Sequence, residues 1–161
     1  MGNTLLIVPP GVRPEASVDV ALCTARRAGG SLIAVVVLDP SETARIAATL
    51  DSAFMGERVS DRVAEVLAHE QRTRAETLLQ LIGDKARDAG IGFVPLVEEG
   101  DPSQVCSRIV STHQVASAVL AVERRSWLAR FLSRSAKLKL PAVAGCEVKV
   151  VEEDEPAKTG R

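Results

Sequence analysis

Residues 121–151 read AVERRSWLARFLSRSAKLKLPAVAGCEVKVV. The stretch divides into the end of a buried strand, a turn, an amphipathic helix over about 127–140 and a closing strand at 147–151. Leu128, Phe131, Leu132 and Ala136 recur at helical spacing, and Pro141 limits the helix. In a small parallel α/β protein, a strand, turn and helix in this order form the place for a phosphate-binding loop. Glycine, the residue such a loop most needs, is missing from the turn, and arginine stands there instead.

The same alternation of strand and helix extends back to the start of the chain. Residues 4–8, TLLIV, and 31–38, SLIAVVVL, are unbroken apolar runs of the kind that form strands buried on both faces. Between them, Val18, Ala21, Leu22 and Ala25 mark one stripe of a helix that begins near Pro14 or Ser17 and stops at Gly29-Gly30. Ser41 and Glu42 suggest a short helix through Leu50, and Asp39-Pro40 reads as a structural turn. Residues 60–89 are strongly helical, with Val63, Val66, Leu67, Leu78, Leu79 and Ile82 as apolar positions. A third strand follows at 92–97, where Pro95 implies an edge position or a bulge. Asp101 and Pro102 suit the N-cap and first position of a helix that ends near His113. A fourth strand spans 115–122. The order β-α-β-α-β-α-β-α-β predicts an α/β protein with a five-stranded parallel sheet and helices on both faces. One domain over 1–151 is expected, with 152–161 as a disordered charged tail.

Composition restricts the function classes. The chain has 161 residues, and only 2% are aromatic, which argues against readers of single-stranded nucleic acid that stack bases on aromatic platforms. A net charge of −1 supplies no basic field for nucleic acid or acidic membrane. No run of 18 apolar residues is present, and the N-terminus lacks the basic region of a signal peptide, so a cytoplasmic protein without membrane insertion is expected. Cys23, Cys106 and Cys146 are too widely spaced for a metal site and read as buried structural thiols. His69 and His113 have no ligand partner at metal spacing and read as solvated or packing residues. No Ser-His-Asp arrangement, HExxH motif or pair of catalytic carboxylates is apparent, so an enzyme is not expected.

Three segments resemble the universal stress protein family. LLIVPPGVRPEAS (5–17) is similar to its opening strand, turn and helix. EEGDPSQVCSRIV (98–110) is similar to its Gly-Asp-Pro helix entry, and 121–151 to its closing segment. The resemblance covers 4–151. It implies a Rossmann-like fold of the adenine nucleotide alpha hydrolase-like type, and a homodimer formed through the last strand near Val148 and Val150. It further implies a role in stress response through a regulatory protein or transporter partner.

One branch of that family binds ATP through G-x2-G-x9-G-[ST] after the fourth strand and an Asp at the end of the first. Carried over, the three glycines become Ala121, Arg124 and Arg134, the hydroxyl survives as Ser135, and the Asp becomes Pro10, with Gly11 kept. Arginine at the glycine positions removes backbone freedom and fills the space of the phosphates. Arginine also binds phosphate by its fork geometry. Arg124, Arg125, Arg130 and Arg134 therefore read as a solvated helix face, as a remodelled anion or nucleotide site, or as a partner-docking surface, with Ser126 as a helix cap. The candidate degenerate nucleotide site comprises Gly11, Ala121, Arg124, Arg125, Ser126, Arg134 and Ser135. The leading expectation is a regulator with no cofactor that has lost the standard ATP site. The alternative is an ATP- or AMP-binding regulator with an arginine-substituted loop.

Overall fold

The computed structural model describes residues 2–41, 44, 45, 48, 49, 57–123 and 146–153. Its elements are β1 (Asn3–Val8), α1 (Glu15–Ala28), β2 (Leu32–Leu38), α2 (Glu57–Asp88), β3 (Phe93–Glu99), α3 (Pro102–Thr112), β4 (Val115–Glu123) and β5 (Glu147–Glu153). Residues 40, 41, 44, 45, 48 and 49 are helical as well. Asp39 caps that turn, accepting hydrogen bonds from the N–H and hydroxyl of Ser41 at 2.9 and 2.6 Å.

The five strands form one parallel sheet in the order β3-β2-β1-β4-β5. All residues of β2 are buried, as its unbroken apolar run requires of an inner strand. Leu6, Val8, Ala34 and Val36 point to one face, against Val18, Ala21 and Ala25 of α1 and Ala75, Leu79 and Ile82 of α2. Leu5, Ile7, Ile33 and Val35 point to the other, against Val105, Cys106, Ile109 and Val110 of α3. The expected α/β sheet with helices on both faces is therefore present. The core is almost wholly aliphatic, in keeping with the small aromatic content.

Helix ends follow local chemistry. Gly29 closes α1 in the left-handed conformation at φ 69°, a backbone state that costs glycine little. Asp101 caps α3 by accepting the Gln104 N–H at 3.2 Å, with Pro102 at the first helical position, as the sequence indicates.

Pro95 resolves to an edge position, since β3 is an outer strand whose register with β2 runs without a bulge. Leu32 donates to the Gly92 carbonyl, and Gly100 donates to that of Leu38. Successive residues of a strand turn their backbone groups to opposite sides, so even-numbered residues of β3 face β2 and Pro95 faces outward. The missing N–H is thus on the open side and costs the sheet no hydrogen bond.

Several expectations change. Cys23 is exposed, because Ser17, Val18, Ala21 and Ala25 set the buried stripe of α1 and position 23 lies off it. Cys106 and Cys146 are buried as expected. Val66 is 64% exposed, off the stripe that α2 turns to the sheet through Ala75, Leu79 and Ile82. The final strand runs to Glu153, two residues past the expected end at Val151, and takes in the first two residues of the expected tail. The helix expected over 127–140 and residues 154–161 lie outside the described residues.

Candidate functional site

Chain direction in the sheet fixes where a ligand crevice belongs. From β1 the chain moves outward to β2 and β3, then returns to the other side of β1 for β4 and β5. The order reverses between β1 and β4, and open α/β sheets bind ligands outside the carboxyl ends of the strands at such a reversal.

Two residues of the candidate nucleotide site are described there. Gly11 lies in the loop after β1 at φ 83°, with open space around the position of a β-carbon. The preceding residue is Pro10, which offers no carboxylate to a ligand. Ala121 is fully buried within β4, opposite Val151 of β5, and follows Leu120, which pairs with Ile7 of β1. Gly11 and Ala121 thus share the carboxyl end of the β1–β4 pair. Arg124, Arg125, Ser126, Arg130, Arg134 and Ser135 lie outside the described residues.

The same end of the sheet holds a carboxylate that sequence reasoning assigned to the tail. Helix α1 starts after Pro14, which supplies no side-chain cap, so its first N–H groups need partners from elsewhere. Glu153 supplies them from the end of β5. Its Oε1 accepts the Ser17 N–H at 2.6 Å and the Ser17 hydroxyl at 2.5 Å. Its Oε2 accepts the Ala16 N–H at 3.1 Å. Glu153 is 5% exposed and Ser17 is fully buried. A carboxylate at a helix N-terminus is favoured by both the free N–H groups and the helix dipole. Among the described residues, no Lys or Arg forms an ion pair with it. No local pattern announces this contact, whose partners stand 136 residues apart.

Two further concavities flank the fold. A groove of about 800 Å³ runs between the start of α1 and α2, lined by Arg13, Pro14, Val18, Leu78, Leu81 and Ile82 among others. A polar hollow of about 670 Å³ lies at the amino ends of the strands, around Asn3, Gly30, Ser31 and Gly92, away from the crevice. Among the described residues, no group of three or more His, Cys, Asp or Glu is placed to hold a metal ion. His69 is exposed, and the His113 carbonyl accepts the Asn3 side-chain amide at 2.7 Å. No helix of the described residues is long and apolar enough to cross a membrane.

Solved structures of the same architecture were found over nearly the whole chain. The universal stress protein UspA from Lactobacillus plantarum superposes with a TM-score of 0.65 at 19% identity, covering 94% of this chain and 99% of that one. This is the universal stress protein fold. A universal stress protein in complex with cAMP gives a TM-score of 0.57 at 14% identity, over 94% and 98% of the two chains. An Arabidopsis thaliana universal stress protein family protein with AMP bound gives 0.56 at 13%, over 97% of each. No protein-family model matches the sequence, and a search of curated proteins finds no relative for it. The universal stress protein fold puts Pro10, Gly11, Ala121 and Glu153 of this chain around one end of the sheet.

Proposed function

We propose that this chain is a member of the universal stress protein family that works in the cytoplasm as a stress-response regulator, through dimerisation and protein contacts and without the family's standard ATP site. The observation that carries the loss of that site is the state of the crevice. Pro10 stands where a carboxylate would hold the nucleotide, the first glycine of the loop is replaced by Ala121, and the α1 N-terminus is already filled by Glu153. Solved structures with under 20% identity support the fold, and the family role is carried over from them.

Dimerisation is supported by the difference between the two sheet edges. Pro95 withdraws a donor from the open side of β3, and the Arg72–Glu99 and Arg108–Glu98 ion pairs flank that strand. The edge strand β5 carries no proline and alternates exposed Glu147 and Lys149 with half-buried Val148 and Val150. An unpaired edge of this kind invites a second copy. In this reading β5 pairs with its twin near Val148 and Val150, and the partner in regulation is a protein or a transporter.

A second reading, a nucleotide-binding regulator, is favoured by the structures of this fold that hold cAMP and AMP. Here arginines replace glycines around the phosphates, and the ligand is ATP or AMP. Calorimetric titration with ATP, ADP, AMP and cAMP separates the two. The leading reading expects no saturable heat from the wild type. Tight binding that is lost in Arg124→Gly with Arg134→Gly selects the second. For the dimer, light scattering on Val150→Asp is expected to show a monomer, and an unchanged dimer would exclude the β5 interface.

A further inference from the structure

Strand β5 is an edge strand, and its residues restrict how a second copy can join it. Its side chains alternate between the two faces of the sheet. Val148 and Val150 lie with buried Cys146 on the face covered by α3, and Val151 lies on the face covered by α1 and α2. Exposed Glu147 and Lys149 share the face of Val151. Among the described residues, neither forms an ion pair within the chain. A second copy that extends this edge antiparallel is related to the first by a two-fold axis perpendicular to the sheet. Such an axis keeps each face on its own side. Each residue must therefore meet one of the same parity, and the residue on the axis meets itself. The candidate registers are then few, and they differ in which side chains stand opposite each other.

We propose that Glu147 and Lys149 form a register code for self-association: they select an antiparallel pairing of β5 with a second copy of this chain, centred on Val148. The inference rests on the dimer reading above and assigns its specificity. With the axis on Val148, Glu147 meets the partner's Lys149 and Lys149 meets the partner's Glu147, both on one face. On the other face Val148 meets the partner's Val148, flanked by contacts of Val150 with the partner's Cys146. Opposed side chains of an antiparallel pair stand about 4.5–5.5 Å apart at the β-carbons, within reach of an ion pair. The neighbouring registers each set a conflict. With the axis on Lys149, two ammonium groups meet, and with the axis on Glu147, two carboxylates meet. With the axis on Val150 the whole strand pairs, but Glu147 meets the partner's Glu153 and Val148 meets the partner's Glu152. With the axis on Val151, Val150 meets the partner's Glu152, and Lys149 meets a carboxylate already spent on the N-terminus of α1. Like charges directly opposite each other destabilise a sheet, so the Val148 register is favoured although its ladder is shorter. The same charges disfavour a foreign edge strand whose charges are placed otherwise.

The test is sedimentation equilibrium on the full chain. The samples are the wild type, Glu147→Lys, Lys149→Glu, the variant carrying both substitutions, and an equimolar mixture of the two single variants. Both positions are exposed, so the substitutions leave the core untouched. The wild type is expected to dimerise. Each single variant sets like charges opposite each other at two places and is expected to raise the dimer Kd by about tenfold. The mixture is expected to recover wild-type association, because each chain supplies the charge that the other lacks. The double variant exchanges the two charges and is expected to match the wild type. A Glu147→Lys that dimerises as well as the wild type would overturn the register and leave the β5 dimer standing, since an axis on Lys149 or Val150 sets no lysine opposite Glu147. Single variants that weaken while the mixture and the double variant fail to recover would overturn it as well. A monomeric wild type would overturn the dimer reading and the register with it.

Discussion

The ring of Phe93 lies over Gly83 so closely that a β-carbon on Gly83 would sit 2.9 Å from two ring carbons. This is where α2 meets the start of β3. It explains a glycine inside a long helix, where glycine costs about 1 kcal/mol relative to alanine. Two effects then compete in Gly83→Ala. Helix propensity returns about 1 kcal/mol, while overpacking of this kind costs about 1–3 kcal/mol. A net loss of about 1 kcal/mol is expected, or roughly 3 °C in Tm for a chain of this size. Thermal unfolding checks it, and a stabilised variant would show that the ring yields freely.

Core truncation is expected to be far more costly than surface truncation of the same residue type. Leu6 is fully buried between β1 and the α1–α2 layer, whereas Leu81 is 58% exposed. Leu6→Ala is expected to lose about 2–5 kcal/mol, and Leu81→Ala under about 0.5 kcal/mol. Urea unfolding of both variants measures the contrast.

Asp101 has two jobs that a single substitution separates. Its carboxylate caps α3, and its charge, after burial itself, is the second cause that raises the Cys106 thiol to about 11. Asp101→Asn keeps much of the cap and removes the charge, so the thiol is expected to titrate lower than in the wild type. Asp101→Ala loses the cap and about 1 kcal/mol of stability. Thiol absorbance against pH and chemical denaturation give the two readouts.

Thiol reactivity is expected to follow exposure. At pH 8 a disulfide reagent is expected to modify the exposed Cys23 rapidly and the buried Cys106 and Cys146 slowly. Burial, with Asp101 or Glu147 alongside, holds both slow thiols in the protonated form. The sign for stability follows from linkage. The unfolded chain ionises Cys106 near the ordinary value of 9.0, while the folded chain keeps it neutral to about 11. The stabilisation is complete below pH 9 and is lost as pH rises from 9 toward 11. Unfolding curves on wild type and Cys106→Ala are expected to diverge over that window.

Local rules read most of this fold from the sequence. The apolar runs that became β1 and β2, Gly29 at the end of α1 and Asp101-Pro102 at the start of α3 each act within a few residues. Pro95 was legible for the same reason, since a missing donor is tolerated at an edge. Cys23 reads as buried from its apolar neighbours, yet it lies off the stripe of Val18, Ala21 and Ala25, and the phase of the helix turns it to solvent. Glu153 was misread because composition alone made 152–161 a solvated tail. Its burial depends on the free N–H groups of a helix at the other end of the sequence, which no local pattern encodes. Of the candidate nucleotide site, Gly11 and Ala121 fall among the described residues, at the carboxyl end of β1 and β4.

The outward-facing Pro95 also bears on how far association can proceed. A sheet with two open edges adds copies indefinitely and grows a fibril, as unprotected strands do. Under the proposed β5 pairing, growth has one favoured direction, because β3 is short of a donor on its free side. Two copies joined through β5 would present a β3 at either end of a continuous ten-stranded sheet (five from each copy), and both ends would be poor templates. In such a pair the proline would act as a chain terminator, disfavouring edge-to-edge addition of a third copy.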